Sequence, residues 1–588
     1  MRLVQNLGQV NRLAFLCRGT TMAALAKVAL VSLITMSAVQ HSFAVGEMAT
    51  PDAGADGTPG VLAPLLDHVG AYSRPVSGCT AGVQPFLDQG LRLAYGYYFP
   101  EALASFREAA RLDPDCPMAY WGAAFAISPI PNSRYHGFPD DPKKEGLKAI
   151  RRASNLAANA SRRDRDFIEA LGKLYDDTEP DRRKRDRSYA AAMKELLDRY
   201  PDDPEAGTLY AGALMVMSPW DYFWPDGTPR PGTTEAIAAL EHVMEVRPDH
   251  PGAPHYYIHI VENSLTPEIA LPHADRLEAL MPGAGHIVHM PSHIYIRTGL
   301  YTKAVESNKR SLAADAAFVE AWGDRPLPNG VTSYPLSSTL HPVHAHDFLH
   351  MAAVWQGNYG DAMESARTIA EMVRTKLEGN GSSQRRFVRP LLTARRFGKW
   401  QSILKMQPPG TDLPFVEGIW HFVRGSAFAA TGKPEAAEKE LEQVRSTAAR
   451  DGMDSLRARA SAARKLLTLA AYVLAGEIAA ERGEIEAALT HLETAVRMED
   501  GLRYVEPPDW GDPVRHTVGD VLMEAGRFEE AEVVYWAALR RYPNNGWSLH
   551  GLWKSLLAQG KTDRAAAVEK RFRKSWAGSD VDLATSRP

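Results

Sequence analysis

A period of 34 residues constrains this chain more than any other feature. Ala236, Leu240, Val243 and Pro248 are followed, each 34 positions later, by Ala270, Ala274, Leu277 and Pro282. Thirty-four is the length of a tetratricopeptide (TPR) unit, a pair of helices with small or apolar residues where they cross and a Pro after the second. Bulk at a crossing would push the paired helices apart. The same pattern is met by Gly90, Leu93, Ala102, Phe106, Ala109 and Pro114, and Ala304 continues the register. Ala362 and Ala366 suit a further unit, and Gly425, Phe428, Ala437 and Leu441 another. The cleanest units are Gly476, Ala479, Ala488, Leu492 and Ala495, then Gly519, Leu522, Ala531, Tyr535, Ala538 and Pro543. The expected fold is all-α, a TPR-like right-handed superhelical solenoid of helical hairpins. Ala-rich stretches and scarce β-branched runs agree with helix.

The register breaks in defined places. Residues 45–75 are rich in Gly, Ala and Pro and read as an extended lead-in. An N-terminal array spans 80–320, an insertion 321–342, a central helical unit 343–400 and a C-terminal array 401–588. The stretch from Pro219 to Gly232 is an aromatic, Pro/Gly-rich loop or broken helix. Insertions as long as Trp322 to Pro342 are often functional, or disordered, in compact arrays, and the Trp and Tyr content of this one argues against disorder.

Residues 1–44 read as a signal peptide, with Lys27 before the apolar run Val28 to Val39 and Ser42-Phe-Ala44 as a small-x-small cleavage site. Translation starts at Met1 or, with a shorter leading region, at Met22; an uncleaved anchor is the alternative to cleavage. The expected location is periplasmic or secreted, with no membrane span after signal removal. Losing this segment removes Arg2, Arg12, Arg18 and Lys27 and no acid, taking the formal charge from -4 to -8. That balance argues against nucleic acid as a partner. Cys79 and Cys116 remain, before and after one predicted hairpin, at the same end of an antiparallel pair. They make either a disulfide or two buried thiols.

The period also aligns chemistry. His255 and His289 are 34 residues apart, as are His259 and His293. In a TPR superhelix the first helix of each unit lines the concave groove. Its fifth position reads Asp221, His255, His289 and Asp347 down the array, its second His286 and His344, its twelfth Glu262 and its thirteenth Asn263 and Arg297. Spacings of three and four put His255, His259 and Glu262 on one helix face, and His286, His289 and His293 on another. His341, His346 and His350 surround His344, and Asn132, Arg134, Tyr135 and His136 form another polar group.

Such a cluster suits a transition metal. The candidate ligands are His255, His259, Glu262, His286, His289, His293, His344 and Asp347, with Asp221, Asn263 and Arg297 as groove contacts. Imidazole favours Zn, Cu or Fe, and a bound ion could activate water or a small ligand for hydrolytic or oxidative chemistry. The competing reading is a non-catalytic scaffold whose histidines contact a peptide or protein partner. HYYIHIVE lacks the Glu of a zincin HExxH, and neither CxxCH, a Walker A loop nor a GxSxG elbow occurs.

Five separated blocks, FLDQGLRLAYGYYFPEALASFREAARLDPDC, PWDYFWPDG, HYYIHIVE, GAGHIVHMPSHIYIRTGLY and EPPDWGDPVR…NNGWSLHGL, together resemble a group of bacterial TPR-containing proteins. The resemblance covers most of the chain after residue 44 and implies a TPR array without an established reaction. It also implies a His in an H-N-x-H-F-L-like stretch where this chain reads HAHDFL: His344 fits and Asp347 departs.

Overall fold

Phe106 shows why the repeat needs glycine. A Cβ on Gly90 would lie 2.8 Å from the Phe106 ring, and one on Gly122 only 2.2 Å from it. The ring, in the helix Phe99–Leu112, is therefore wedged between the helices Gln84–Tyr95 and Pro117–Ala126. The C-terminal repeats use the same device: Gly519 and Gly551 flank Tyr535, at 2.5 and 2.2 Å from where their Cβ atoms would stand. Ala236, Leu240, Val243, Ala270, Ala274 and Leu277, the residues that define the period, are all fully buried at crossings.

The computed structural model describes residues 60–129, 131, 143–327 and 341–586. Successive helices pack against one another along the chain as hairpins. Among the described residues the only β pairing is two isolated bridges, Phe223 with Pro229 and Arg457 with Ala462. The fold is all-α, a TPR-like helical solenoid, and Val61–Pro588 forms one compact unit. Residues 1–59, the polar group Asn132, Arg134, Tyr135 and His136, and 328–340 of the insertion lie outside the described residues.

From residue 61 the lead-in is extended and bound. Leu66 N–H donates to Gln89, Gly283 N–H to the His68 carbonyl and Arg74 N–H to Asp88, while Val69 and Tyr72 are buried. Cys79 and Cys116 are joined in a disulfide, with their Cα atoms 4.4 Å apart.

The C-terminal repeats fold back onto the helix His341–Gln356 and the helix Tyr301–Trp322 that backs the histidines. Tyr301 donates its hydroxyl to the Pro543 carbonyl at 2.8 Å, and the Trp547 indole N–H donates to the Val354 carbonyl at 3.1 Å. At Gly299, φ is +75°, and a Cβ there would stand 2.2 Å from the Pro543 carbonyl oxygen, so both backbone conformation and space call for glycine.

Candidate metal centre

Four stretches of helix converge. Gly252–Val261 carries His255 and His259, with Glu262 as its C-cap residue. Gly285–His289 and Pro291–Thr298 carry His286, His289 and His293; Met290 between them keeps helical dihedrals, so His289 and His293 still share a face across Pro291. His341–Gln356 adds His341 and His344. Behind them Tyr301–Trp322 supplies Asn308 and Asp315.

The histidines do not line an open concave face. His255, His259, His286, His289, His293 and His341 are buried, and His344 is half-buried. The rings are covered because other elements close over them. Tyr97, at the turn of the first hairpin with φ of +64°, sets its ring 4.4 Å from that of His255 and 5.2 Å from that of His286. Phe348 lies 4.5 and 4.3 Å from the rings of His289 and His293. A bulky residue held at positive φ is uncommon and is sustained only by its surroundings.

The outer nitrogens are tied down by acceptors. His255 Nδ1 is 2.6 Å from the Tyr95 carbonyl, which can only accept, so Nδ1 carries the proton. His289 Nδ1 is 2.7 Å from Asn308 Oδ1, and Asn308 spends its own amide N–H on the Ala304 carbonyl. Glu262 takes His259 Nδ1 on Oε1 at 3.3 Å and His293 Nδ1 on Oε2. His341 Nδ1 donates to Asp315 Oδ2 at 2.5 Å. Protons held at Nδ1 leave the Nε2 lone pairs bare.

Those lone pairs face inward. The bare Nε2 atoms of His289 and His293 are 3.0 Å apart. His255 Nε2 is 3.1 Å from His286 Nε2, and since His286 Nδ1 has no acceptor among the described residues, an Nε2–H of His286 can donate to it. His259 Nε2, His286 Nδ1 and His341 Nε2 are buried without a hydrogen-bond partner among the described residues. Protonation is a costly way to relieve this. Burial lowers His255, His259 and His293 to about 3, and nearby cations or protonatable rings reinforce the shift. His286, His289 and His344 are pushed well below the ordinary value for the same reasons, burial first. Burial raises Glu262, opposed by its bond from His259.

Three donor sets have ligand atoms all within 4.8 Å of one another: His255, His259 and His286; His289, His293 and His344; and His259, Glu262 and His293. Two nitrogens on one tetrahedral ion at about 2.0–2.1 Å would be separated by about 3.3 Å, close to the spacing of the facing Nε2 pairs.

Asp347 is placed elsewhere, which corrects the expectation that it shares the donor set. Its carboxylate is fully buried among Arg386 (2.7 Å), Arg389 (3.1 Å) and Arg385 (3.6 Å), which hold it well below the usual carboxylate range against the cost of burial. Asp221 is also absent from the cluster; it lies in a loop, paired with Arg230 at 3.0 Å and partly exposed. Asn263 is half-buried just after Glu262. Arg297 donates to the Glu262 carbonyl at 2.8 Å and the Ser264 carbonyl at 3.3 Å, buttressing the end of the first histidine helix. The residues that sequence reasoning left out of the donor set are His341, Asp315, Asn308 and Tyr97. A signal existed for three of them: His341 sits with His344 in a histidine-rich stretch, and Asn308, Ser311 and Asp315 form a buried polar stripe at helical spacing in Tyr301–Trp322.

No family model matches the chain, and no curated protein matches it. Among solved structures it is similar to a human IFIT1 dimer with PPP-AAAA, at 13% identity and a TM-score of 0.29 over 84% of this chain and 90% of that one. It is also similar to a monomeric IFIT1 mutant with Gppp-AAAA, at 13% identity and a TM-score of 0.30 over 85% and 91%. At these scores the likeness carries nothing about a site or a ligand.

Proposed function

We propose that this chain is an exported bacterial TPR-type solenoid. In this reading it binds transition metal through two neighbouring trihistidine sets, His255/His259/His286 and His289/His293/His344, and supports hydrolytic or oxidative chemistry on a small ligand. The observation that carries the reading is the pair of bare Nε2 atoms of His289 and His293, 3.0 Å apart in a buried site. Two lone pairs at that distance repel unless a cation lies between them, and burial disfavours a proton there.

The outer shell agrees. A ligating histidine commonly gives its other ring N–H to a carboxylate or carbonyl, which orients the ring and raises its basicity. Glu262, Asn308 and the Tyr95 carbonyl stand in that relation to four of the six histidines. A donor set of imidazoles suits Zn, Cu or Fe. Such an ion, with an open position, could lower the pKa of bound water or hold a small oxidant, and two adjacent ions could clamp one substrate. Export is supported by the apolar leader in the sequence and by the Cys79–Cys116 disulfide, which suits an oxidising compartment.

Elemental analysis of protein purified without an affinity tag tests the reading. One to two equivalents of a transition metal are expected, lost in the His255→Ala/His289→Ala double variant while helical circular dichroism is kept. Folded wild type that carries no metal and takes none up from Zn, Cu or Fe salts would leave the scaffold reading, with a peptide or protein partner in the groove.

A further inference from the structure

A second buried site lies beyond the histidines, where positive charge exceeds negative. The helices Gly381–Phe387 and Arg389–Arg396 carry Arg385, Arg389 and Arg396 on one inward face, at 4, 7 and 4% exposure. Around Asp347 and Asp509 stand four guanidinium groups: Arg385, Arg386, Arg389 and Arg459, the last close enough to feel both aspartates and both of the first two arginines. Asp509 takes the backbone N–H groups of Ala460 and Ser461 on Oδ2, while its Oδ1 and Asp347 Oδ1 are buried without a hydrogen bond among the described residues, fewer acceptors than the guanidinium donors around them.

Several donors are left over. Nε and Nη2 of Arg385, Nε and Nη2 of Arg389, and Nε of Arg396 are buried without a hydrogen bond among the described residues. Arg389 Nη2 lies 3.1 Å from Asp347 Oδ1 as an ion pair but is not aligned for a hydrogen bond; Arg385 is 3.6 and 4.0 Å from its aspartates. Buried guanidinium donors without partners are costly, and the group stays charged at neutral pH. Arg385, Arg389 and Arg396 line one cavity together with apolar side chains that include Phe415, Ile419, Phe422 and Leu466. His350, Thr393, Asp509 and Asp512 complete the polar lining; His350 is already bonded to Thr393 and to Arg389, and Asp512 is neutralised by Arg395 and Arg396.

We propose that this cavity binds an organic anion. A carboxylate or phosphate head would sit on Arg385 and Arg389, with an apolar body against the apolar side chains. A planar guanidinium matches either head in two-pronged fashion. The apolar lining is what favours an organic anion over a hydrated inorganic one, since it would desolvate the latter without return. The proposal does not depend on the histidines holding metal.

The test is calorimetric titration of the full-length protein, in the presence of a chelator, with octanoate, octyl phosphate, octan-1-ol and inorganic phosphate. At least one of the two amphiphilic anions should bind at least tenfold more tightly than octan-1-ol and than inorganic phosphate, and the tighter of the two names the head group. Arg389→Met should weaken that anion at least tenfold. Because Arg389 also pairs with Asp347, Leu392→Glu is the second variant: it leaves the ion pairs in place and adds a carboxylate at the half-buried edge of the cavity. It should weaken the anion by a similar factor. Neither anion outcompeting the alcohol, or wild-type anion affinity in folded Leu392→Glu protein, would overturn the proposal.

Discussion

Glu262 and His293, 31 positions apart in the chain, meet in a buried hydrogen bond from ring Nδ1 to carboxylate Oε2. The other oxygen of the same carboxylate takes His259, on the neighbouring helix. One side chain thus sets the tautomer of two rings on two helices and points both Nε2 atoms into the same space.

Replacing Glu262 with Gln leaves one acceptor oxygen where two rings need one. The amide N–H₂ would meet an Nδ1–H, and one histidine would have to move its proton to Nε2. Metal affinity should fall by about 10–100-fold while helicity is retained. Competition against a chromophoric chelator measures it; unchanged affinity would show that Glu262 does not orient the rings.

Asp315 serves two donors at once, the Tyr98 hydroxyl on Oδ1 at 2.5 Å and His341 Nδ1 on Oδ2 at 2.5 Å. Asn at this position keeps only one acceptor and strands a buried donor. The expected loss is about 1–3 kcal/mol of stability, read from urea unfolding. A variant as stable as wild type would mean the pair adds nothing to the fold.

Gly122→Ala places a methyl 2.2 Å from the Phe106 ring. Overpacking of this kind costs about 1–3 kcal/mol. Trimming the ring in Gly122→Ala/Phe106→Leu should recover part of that cost, so the two substitutions should be non-additive. Additive melting shifts would argue that the helices are not held at this crossing by the ring.

Glu499 is buried, accepts the Val514 N–H at 3.1 Å, and is pushed up to about 7 by burial against the pull of Arg541. Its folded pKa exceeds the unfolded value, so the folded state holds a proton that the unfolded chain gives up. The group's contribution is fully present below about pH 4.5 and is lost as pH rises towards 7, a difference of roughly 3 kcal/mol. Glu499→Gln should therefore raise the melting temperature at pH 8 and change it little at pH 4.5. An equal shift at both pH values would contradict the assignment.

The period in the sequence determined a good deal by itself. Small residues recurring every 34 positions specified the hairpins and their crossings, because an identical crossing needs identical space. Like positions of successive hairpins are nearest neighbours, so His255 and His259 had to come beside His289 and His293. Extending the column to Asp347 failed because a contact from outside the period intervened: three arginines from 38–42 positions further on claim that carboxylate. Earlier in the same helix, His341 is brought to the cluster instead, by Asp315. Tertiary structure alone decided the rest. Which ring nitrogen carries a proton depends on the Tyr95 carbonyl, Asn308 and Asp315, partners 160, 19 and 26 positions from their histidines. Burial of the cluster depends on Tyr97 and Phe348 closing over it. A repeat encodes what each unit does to the next; contacts between distant units follow no period, and only the folded chain sets them.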